Sequence, residues 1–345
     1  MDMNETSAPA SSLSGRLDPG AEDVTDHVGY VQASTDADPG DHAHLDDAAS
    51  MDAVTLIAGD LENMASYYEL ALALEPLAEK AGRRDVQRVL GRGDTPMVRL
   101  VSSPDLPGVD PAQAGLYHSA FLFDSQESLA ATVYRAASEP RSRFVGSSDH
   151  LVSEAFYFTD PEGNGIELYR DRPRDTWTII DGQTQMDTTY LDPRAYLNQH
   201  LDRAVLDAVT DQQGRVGHVH LQVGDVDRAR DFYVNTVGFD ITFSGIPSAL
   251  FVSAGGYHHH IAVNVWNSYG AGPRAASLGL GDVSITVPDR AALDGFAARL
   301  RARGVDFADD GRSIVTRDPW NTQLTMTLPV TSAQDWADDR AGVLR

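Results

Sequence analysis

A carboxylate in an apolar strand is the first residue of this sequence that could do chemistry. Glu167 lies between Ile166 and Leu168, directly after the turn signal DPEGNG. The alternation over residues 151–158 predicts a strand, and residues 160–165 predict the hairpin turn that brings Glu167 back beside it. A carboxylate in such a strand must be exposed, paired or bound to a metal.

Histidines are the other candidates. Three are consecutive in the run YHHHIAVN, and alternation along a strand would place His258 and His260 on one face and His259 on the other. Three buried histidines without a task would destabilise the fold, so a function is favoured over packing alone. The sequence contains no cysteine, so any metal must be bound by histidine or carboxylate side chains.

These residues belong to a repeated pattern of one strand, one helix and three further strands. The run GHVHLQVGDVDRARDFY repeats the plan of AVTLIAGDLENMASYY, with Gly224 and Asp225 standing where the first copy has Gly59 and Asp60. A constant offset over a shared pattern indicates an internal repeat. We identify four such modules, at roughly residues 52–103, 114–170, 215–266 and 278–329.

The repeat predicts an α+β fold of four βαβββ modules. We expect two domains of two modules each, at residues 51–172 and 215–329, joined by a connector at residues 173–214. An acidic, disordered extension would precede them at residues 1–50, and a polar tail would follow at residues 330–345.

Composition excludes several classes of function. The formal net charge of −24 argues against direct nucleic-acid binding, which needs cationic side chains to neutralise phosphates. The sequence shows no apolar run long enough to span a membrane and no secretory signal, which predicts a cytoplasmic protein without membrane partners.

The basic residues are almost all arginine, since lysine occurs only at Lys80. A strongly acidic, lysine-poor surface is typical of cytoplasmic proteins from salt-loving organisms, in which high salt screens self-repulsion. A coding bias that replaces lysine by arginine is the alternative explanation.

The modules, with the runs GHVHLQVGDVDRARDFY, SAGGYHHHI and DPEGNGIELYRDRP, resemble the vicinal oxygen chelate superfamily. Glyoxalases and bleomycin-resistance proteins share its module plan. Over residues 52–329 the chain is most similar to two-domain catechol-2,3-dioxygenases, the extradiol ring-cleaving enzymes. The three consecutive histidines together with DHLVSEAFYFTDPEGNGIE are the specific part of the resemblance. It implies glyoxalase-like domains with curved mixed sheets.

The resemblance also implies a metal bound by the first and last strands of two paired modules. The first-strand ligand lies seven residues before the polar position that ends the strand. Counting back from Ser125 gives His118, and counting back from Asp225 gives His218. The last-strand ligand is Glu167. His220 is a rival to His218, because both lie on the same face of one strand.

The other two modules do not carry these ligands. The corresponding first-strand positions are Ala53 and Asp282, and module four has Thr325 in place of the last-strand glutamate. We therefore expect modules two and three to face one another, with modules one and four as a degenerate pair. Two imidazoles and a carboxylate form the facial triad of non-haem Fe(II) oxygenases, so Fe(II) is the expected metal and Mn(II) the alternative.

Extradiol enzymes carry a catalytic histidine beside the metal, and the resemblance assigns this role to His260. It also implies that His150 and Tyr157 bind the substrate oxygen and the intermediate. The expected reaction is ring cleavage of a catechol-type substrate by O2; the sequence leaves the catechol and a homo-oligomeric state open. Two alternatives are a glyoxalase-like isomerase or lyase and a non-catalytic binding protein of the resistance type.

Overall fold

The computed structural model describes residues 44–81 and 86–330, together with residues 332, 334 and 336. The predicted disordered extension therefore lies outside the described residues as far as residue 43. The described residues belong to one compact unit, residues 42–345. Within them, no helix is long and apolar enough to cross a membrane.

The first two modules follow the predicted order of a strand, a helix and three strands. Module one contains β1 (Ser50–Met51), β2 (Val54–Ala58), α1 (Leu61–Leu72), β3 (Glu75–Ala81), β4 (Val86–Arg92) and β5 (Thr95–Ser102). Module two contains β6 (Gly115–Phe123), α2 (Gln126–Ser138), β7 (Arg143–Asp149), β8 (Ser153–Thr159) and β9 (Gly165–Asp171). The predicted hairpin around residues 160–165 is the connection between β8 and β9.

The connector has regular structure of its own. It contains β10 (Ile179–Ile180), β11 (Gln183–Thr184), β12 (Thr189–Tyr190), α3 (Pro193–His200) and α4 (Arg203–Asp207). Strand β12 pairs antiparallel with β7, and Tyr196 of α3 packs its ring against Phe156 of β8. The connector is thus part of the sheet that carries module two.

The last two modules repeat the order of the first two. Module three contains β13 (Gly214–Gln222), α5 (Val226–Arg230), a π-helical turn (Asp231–Val237), β14 (Asp240–Phe243), β15 (Ala249–Ser253) and β16 (Ile261–Asn264). Module four contains β17 (Gly279–Thr286), α6 (Arg290–Ala302), β18 (Phe307–Asp309), β19 (Ser313–Arg317) and β20 (Gln323–Thr327).

The polar residue that ends each first strand is the N-cap of the helix that follows. In all four modules its side chain accepts a hydrogen bond from the backbone N–H three residues later, at Asp60, Ser125, Asp225 and Asp289. Because an N-cap satisfies a donor that the helix itself leaves unpaired, it sets where strand ends and helix begins. The predicted ligand positions were counted from two of these residues.

The strands form two large mixed sheets, each built from one early and one late module. The site sheet has the order β12-β7-β8-β9-β6-β13-β16-β15-β14 and joins modules two and three. The scaffold sheet has the order β18-β19-β20-β17-β2-β5-β4-β3, with β1 paired to β17, and joins modules one and four. Each sheet thus takes one module from each half of the chain, as the ligand positions required.

The turns that follow β8 and β19 tie the two sheets together. The Asp160 carboxylate accepts the backbone N–H groups of Glu162 and Asn164, and also the hydroxyl of Tyr68 on α1 at 3.1 Å. The corresponding Asp318 accepts the hydroxyl of Tyr233 at 3.0 Å. Burial raises the pKa of Asp160 to about 6. The hairpin that leads into Glu167 is therefore anchored to a helix of module one.

Candidate metal centre

Three central strands of the site sheet bring the predicted ligands together. His118 lies on β6, His218 on β13 and Glu167 on β9, and all three side chains are buried. Strand β6 pairs parallel with β9 on one side and antiparallel with β13 on the other. The pairing of these strands thus brings together three residues that are far apart in the sequence.

The two histidine side chains converge on a single oxygen of the Glu167 carboxylate. His118 Nε2 lies 2.9 Å from Glu167 Oε2, and His218 Nε2 lies 3.0 Å from the same atom. Among the described residues, only two groups of His, Asp and Glu side chains could share a metal ion. One is this triad, and the other joins His218 to His258 and His259.

The charges of the triad are those that a metal requires. Burial alone would raise the pKa of Glu167, but the neighbouring His218 and His118 outweigh burial and hold that pKa well below its usual value. Burial lowers the pKa of His218 to about 4. The side chains are therefore a carboxylate and a neutral imidazole near neutral pH, and deprotonated ligands are what metal binding needs.

The distances also fit a metal ion. Two ligand atoms about 2.1 Å from an ion and at right angles to each other are about 3.0 Å apart, which is close to both observed separations. Within the described part of the chain, His118 Nε2 is buried and makes no hydrogen bond, although it is so close to the carboxylate. Two imidazoles and a carboxylate suit a facial triad.

Two glycines allow this convergence. A Cβ added at Gly217, immediately before His218, would lie 1.7 Å from the Tyr169 hydroxyl oxygen. A Cβ added at Gly165 would lie 2.0 Å from the carbonyl oxygen of Tyr117. Neither distance is compatible with van der Waals contact. Gly165 thus lets β9 approach β6 closely, and Gly217 on β13 leaves room for the Tyr169 side chain of β9.

His150 and Tyr157 form a hydrogen-bonded pair on the same cavity. Tyr157 is paired directly with Glu167 across β8 and β9, and its hydroxyl lies 2.7 Å from His150 Nε2. His150 Nδ1 lies 2.8 Å from the carbonyl oxygen of Asp187, so it donates to that oxygen. In its neutral form the His150 ring then accepts a hydrogen bond from the Tyr157 hydroxyl at Nε2. Burial raises the pKa of Tyr157 well above its usual value.

His220 takes part in a different set of contacts. It pairs with His118 across β6 and β13, and their ring centroids are 5.0 Å apart. Its Nε2 accepts a hydrogen bond from the Asn264 side-chain amide at 2.9 Å. Asn264 is oriented because its oxygen accepts the backbone N–H of Trp266. His220 Nε2 is thus already hydrogen-bonded to Asn264, whereas His218 Nε2 faces the Glu167 carboxylate.

The three consecutive histidines lie in the bend that leads into β16. Strand β16 begins only at Ile261, and the preceding Gly255 and Gly256 both have positive φ. His258 and His260 both pack against Tyr257, whereas His259 lines the cavity, which is the separation that alternation predicts.

As a result, His259 rather than His260 lies beside the triad. The His259 ring is 4.0 Å from the His218 ring, centroid to centroid, and it lines the cavity. His260 points away from the cavity: its Nδ1 accepts the Ala254 backbone N–H at 3.3 Å, and its ring packs on Tyr257. The structure thus places His259, one residue before the predicted His260, on the cavity, and a catalytic role for either histidine stays a prediction.

A cavity of about 780 Å³ opens above the triad. Strands β6, β7, β14 and β15 and the connector line it with mostly apolar and aromatic side chains, including Leu116, Val145, Met186, Phe243, Ile246, Phe251 and Trp266. Met186, Asp187 and Thr188 come from the connector. Sequence reasoning missed them because the connector shows no repeat or motif.

The scaffold sheet carries no such triad at the corresponding positions of its described residues. Asp282 is buried and accepts the Thr325 hydroxyl at 2.7 Å. Trp336, from the predicted tail, is buried against Ala53 and donates its indole N–H to Asp52 at 2.8 Å. An aromatic side chain thus packs at the degenerate counterpart of the metal centre.

Comparison with known proteins adds two findings to this geometry. The model of the Glyoxalase/Bleomycin resistance protein/Dioxygenase superfamily matches residues 50–168 and 215–340. Over 209 residues the chain is 39% identical to the catechol-2,3-dioxygenase of Bacillus subtilis (strain 168). This alignment covers 59% of this chain and 72% of that protein.

Solved structures show the same fold at low sequence identity. A putative dioxygenase from Bacillus subtilis subsp. subtilis str. 168 has a TM-score of 0.56 at 11% identity, covering 84% of this chain and 87% of that chain. Glyoxalase I from Zea mays has a TM-score of 0.53 at 14% identity, covering 86% and 96%.

Proposed function

Because this chain belongs to the Glyoxalase/Bleomycin resistance protein/Dioxygenase superfamily, we propose that it cleaves catechol-type aromatics with O2 as an extradiol dioxygenase. The 39% identity to a catechol-2,3-dioxygenase makes it an oxidoreductase of that type. The proposal assigns His118, His218 and Glu167 as the ligands of one Fe(II) ion, with Mn(II) as the alternative metal. The observation that carries it is the convergence of both histidines on one buried carboxylate oxygen.

When bound, Fe(II) supplies a Lewis acid and redox centre with open positions for substrate and dioxygen. The protein's own part is to bind, orient and move protons. Burial holds the pKa of His259 well below its usual value, so the ring is a neutral imidazole. In this position it can take the proton of a substrate hydroxyl as general base and return it as general acid.

Tyr157 and His150 position the substrate oxygen. Since the Tyr157 proton is directed to His150, the hydroxyl oxygen of Tyr157 keeps a lone pair that can accept a hydrogen bond from the substrate. The Asp187 carbonyl fixes the His150 ring in turn. Such a pair, held before substrate arrives, costs little reorganisation during the reaction.

The test is anaerobic reconstitution of the purified protein with Fe(II), followed by a panel of catechols and air. We expect a yellow ring-opened product, with one iron per chain that is lost in His218→Ala. His200→Ala is the matched control, because His200 lies on α3 and packs against Tyr196. No yellow product from any catechol, with iron content unchanged in His218→Ala, would refute the proposal. Iron-free turnover of a hemithioacetal with nickel or zinc would instead assign a glyoxalase-like isomerase.

A further inference from the structure

A chain of hydrogen bonds leads away from the cavity behind His259. His259 Nδ1 lies 2.7 Å from His258 Nδ1, and His258 Nε2 lies 2.9 Å from Asp171 Oδ1. The other oxygen of Asp171 accepts the Tyr257 hydroxyl at 2.9 Å. The Tyr257 oxygen lies 2.7 Å from the Tyr169 hydroxyl, which donates to it.

The carboxylate at the end of this chain sets the direction of every bond in it. Asp171 only accepts, so His258 carries its hydrogen on Nε2. In its neutral form the His258 ring then has a lone pair on Nδ1, and the hydrogen between the two rings belongs to His259 Nδ1. This leaves His259 Nε2 without a hydrogen, and a bare nitrogen is what a general base requires.

We infer that Asp171 is a positioning residue that acts through His258 to fix the tautomer of His259 and keep its Nε2 free to accept a proton. The inference rests on the proposed function for the role of His259, but the tautomer itself follows from the hydrogen bonds alone. Asp171 lies on β9, the strand that also carries Glu167. One strand thus holds the anionic ligand and the group that orients the base.

The burial of the chain supports a fixed arrangement. The His258 ring is fully buried, and its centroid lies 5.4 Å from the Trp177 ring and 4.1 Å from the Tyr257 ring. Buried polar groups that are fully hydrogen-bonded hold one conformation, because any rearrangement would leave a donor unpaired. His258 therefore has no low-energy alternative to this orientation while Asp171 is charged.

A second metal ion is the competing explanation, since His218, His258 and His259 could share one. Because His258 Nε2 is bonded to Asp171, such an ion would take His258 Nδ1, and His259 Nδ1 is the nitrogen beside it. Their separation of 2.7 Å is that of a strong hydrogen bond and is shorter than the roughly 3.0 Å between adjacent ligands of one ion. The geometry favours the hydrogen bond.

The test uses Asp171→Asn, in which the side-chain amide can donate to His258 Nε2 and reverse the whole chain. Long-range 15N NMR of histidine-labelled, Zn(II)-loaded protein reads which nitrogen carries the hydrogen. We expect Nε2–H at His258 and Nδ1–H at His259 in the parent protein, and the opposite pair in Asp171→Asn. In the Fe(II) enzyme we expect kcat to fall about 10- to 100-fold, with KM and iron content within about twofold and partial recovery in Asp171→Glu.

Asp124→Asn is the matched control, because Asp124 pairs with Arg215 on the same sheet and should change neither readout. Unchanged tautomers in Asp171→Asn, or a loss of kcat that follows iron loss, would overturn the inference. Two zinc ions per chain would overturn it in favour of the second metal site. The NMR result does not depend on turnover, so an enzyme that cleaves no catechol would refute the proposed function and leave the tautomer assignment standing or falling by itself.

Discussion

The exchange of His259 or His260 for glutamine separates catalysis from packing at two adjacent residues. His259 lines the cavity beside His218, whereas His260 accepts the Ala254 backbone N–H away from it. Glutamine keeps the approximate size and a hydrogen-bonding amide but cannot serve as a base near neutral pH. His259→Gln should therefore remove mainly the acid–base group, and His260→Gln should remove mainly a structural hydrogen bond.

For His259→Gln we expect kcat to fall about 10²- to 10⁴-fold, the usual contribution of a positioned acid–base group, which corresponds to about 3–5 kcal/mol of the barrier. KM and iron content should change little, because the ligands are untouched. For His260→Gln the loss is structural. Its Nδ1 accepts the Ala254 backbone N–H at 3.3 Å, and an amide oxygen in a new position satisfies this buried donor incompletely. That costs about 1–3 kcal/mol of the free energy of unfolding.

The assay is the initial rate of yellow product at saturating catechol, normalised to bound iron, with urea unfolding of the metal-free variants. We expect His260→Gln to keep kcat within about threefold while it unfolds at lower urea. If His260→Gln loses as much iron-normalised kcat as His259→Gln, the assignment of the general base to His259 is wrong.

Further predictions concern the fold and the cavity. Gly217→Ala should destabilise the protein by about 2–4 kcal/mol and weaken iron binding, because the new Cβ meets the Tyr169 hydroxyl. Tyr169→Phe in the same chain should recover only part of the loss in urea unfolding, since the ring carbon that bears the hydroxyl is still 2.8 Å from that Cβ. Trp336→Ala should cost about 3–5 kcal/mol in the same assay and leave iron-normalised kcat unchanged; a fall in kcat would show that the scaffold sheet governs the site. Burial lowers the pKa of His260 from 6.5 to about 3, so the unfolded chain takes up this proton first as pH falls below 6.5. Between those values the group should reduce the free energy of unfolding by about 1.4 kcal/mol per pH unit, and His260→Gln should show a correspondingly shallower slope in pH-dependent urea titrations. Alkyl-substituted catechols should have kcat/KM at least about tenfold above carboxylated ones, because the cavity lining is mostly apolar. The reverse order of kcat/KM would contradict this effect of the lining.

The module plan could be predicted because each module carries a local signal. The first strands, the N-caps and the hairpin turn depend on nearby residues, and their repetition strengthens each assignment. The pairing of modules two and three also followed from sequence, because only those modules carry His118, His218 and Glu167. Their role as metal ligands stays a prediction, which the reconstitution experiment tests.

The remaining features depend on interactions that local patterns do not contain. His260 was preferred to His259 because the resemblance to extradiol enzymes and the spacing before the end of the strand favoured it, and neither tells which of three adjacent rings faces the cavity. The cavity residues of the connector and the burial of Trp336 depend on contacts between distant segments. Composition identified those segments only as a connector and a tail.

The pairing of β2 with β17 has a consequence for synthesis of the chain on the ribosome. All strands of modules two and three have been made once residue 264 is complete, so the site sheet can assemble before β17 exists. Strand β2 is made first but gains its central neighbour only when residues 279–286 emerge. Until then module one carries an open, apolar strand edge, which is the kind of surface that pairs with other chains. The period of greatest exposure to aggregation thus falls after the three predicted metal ligands have been synthesised.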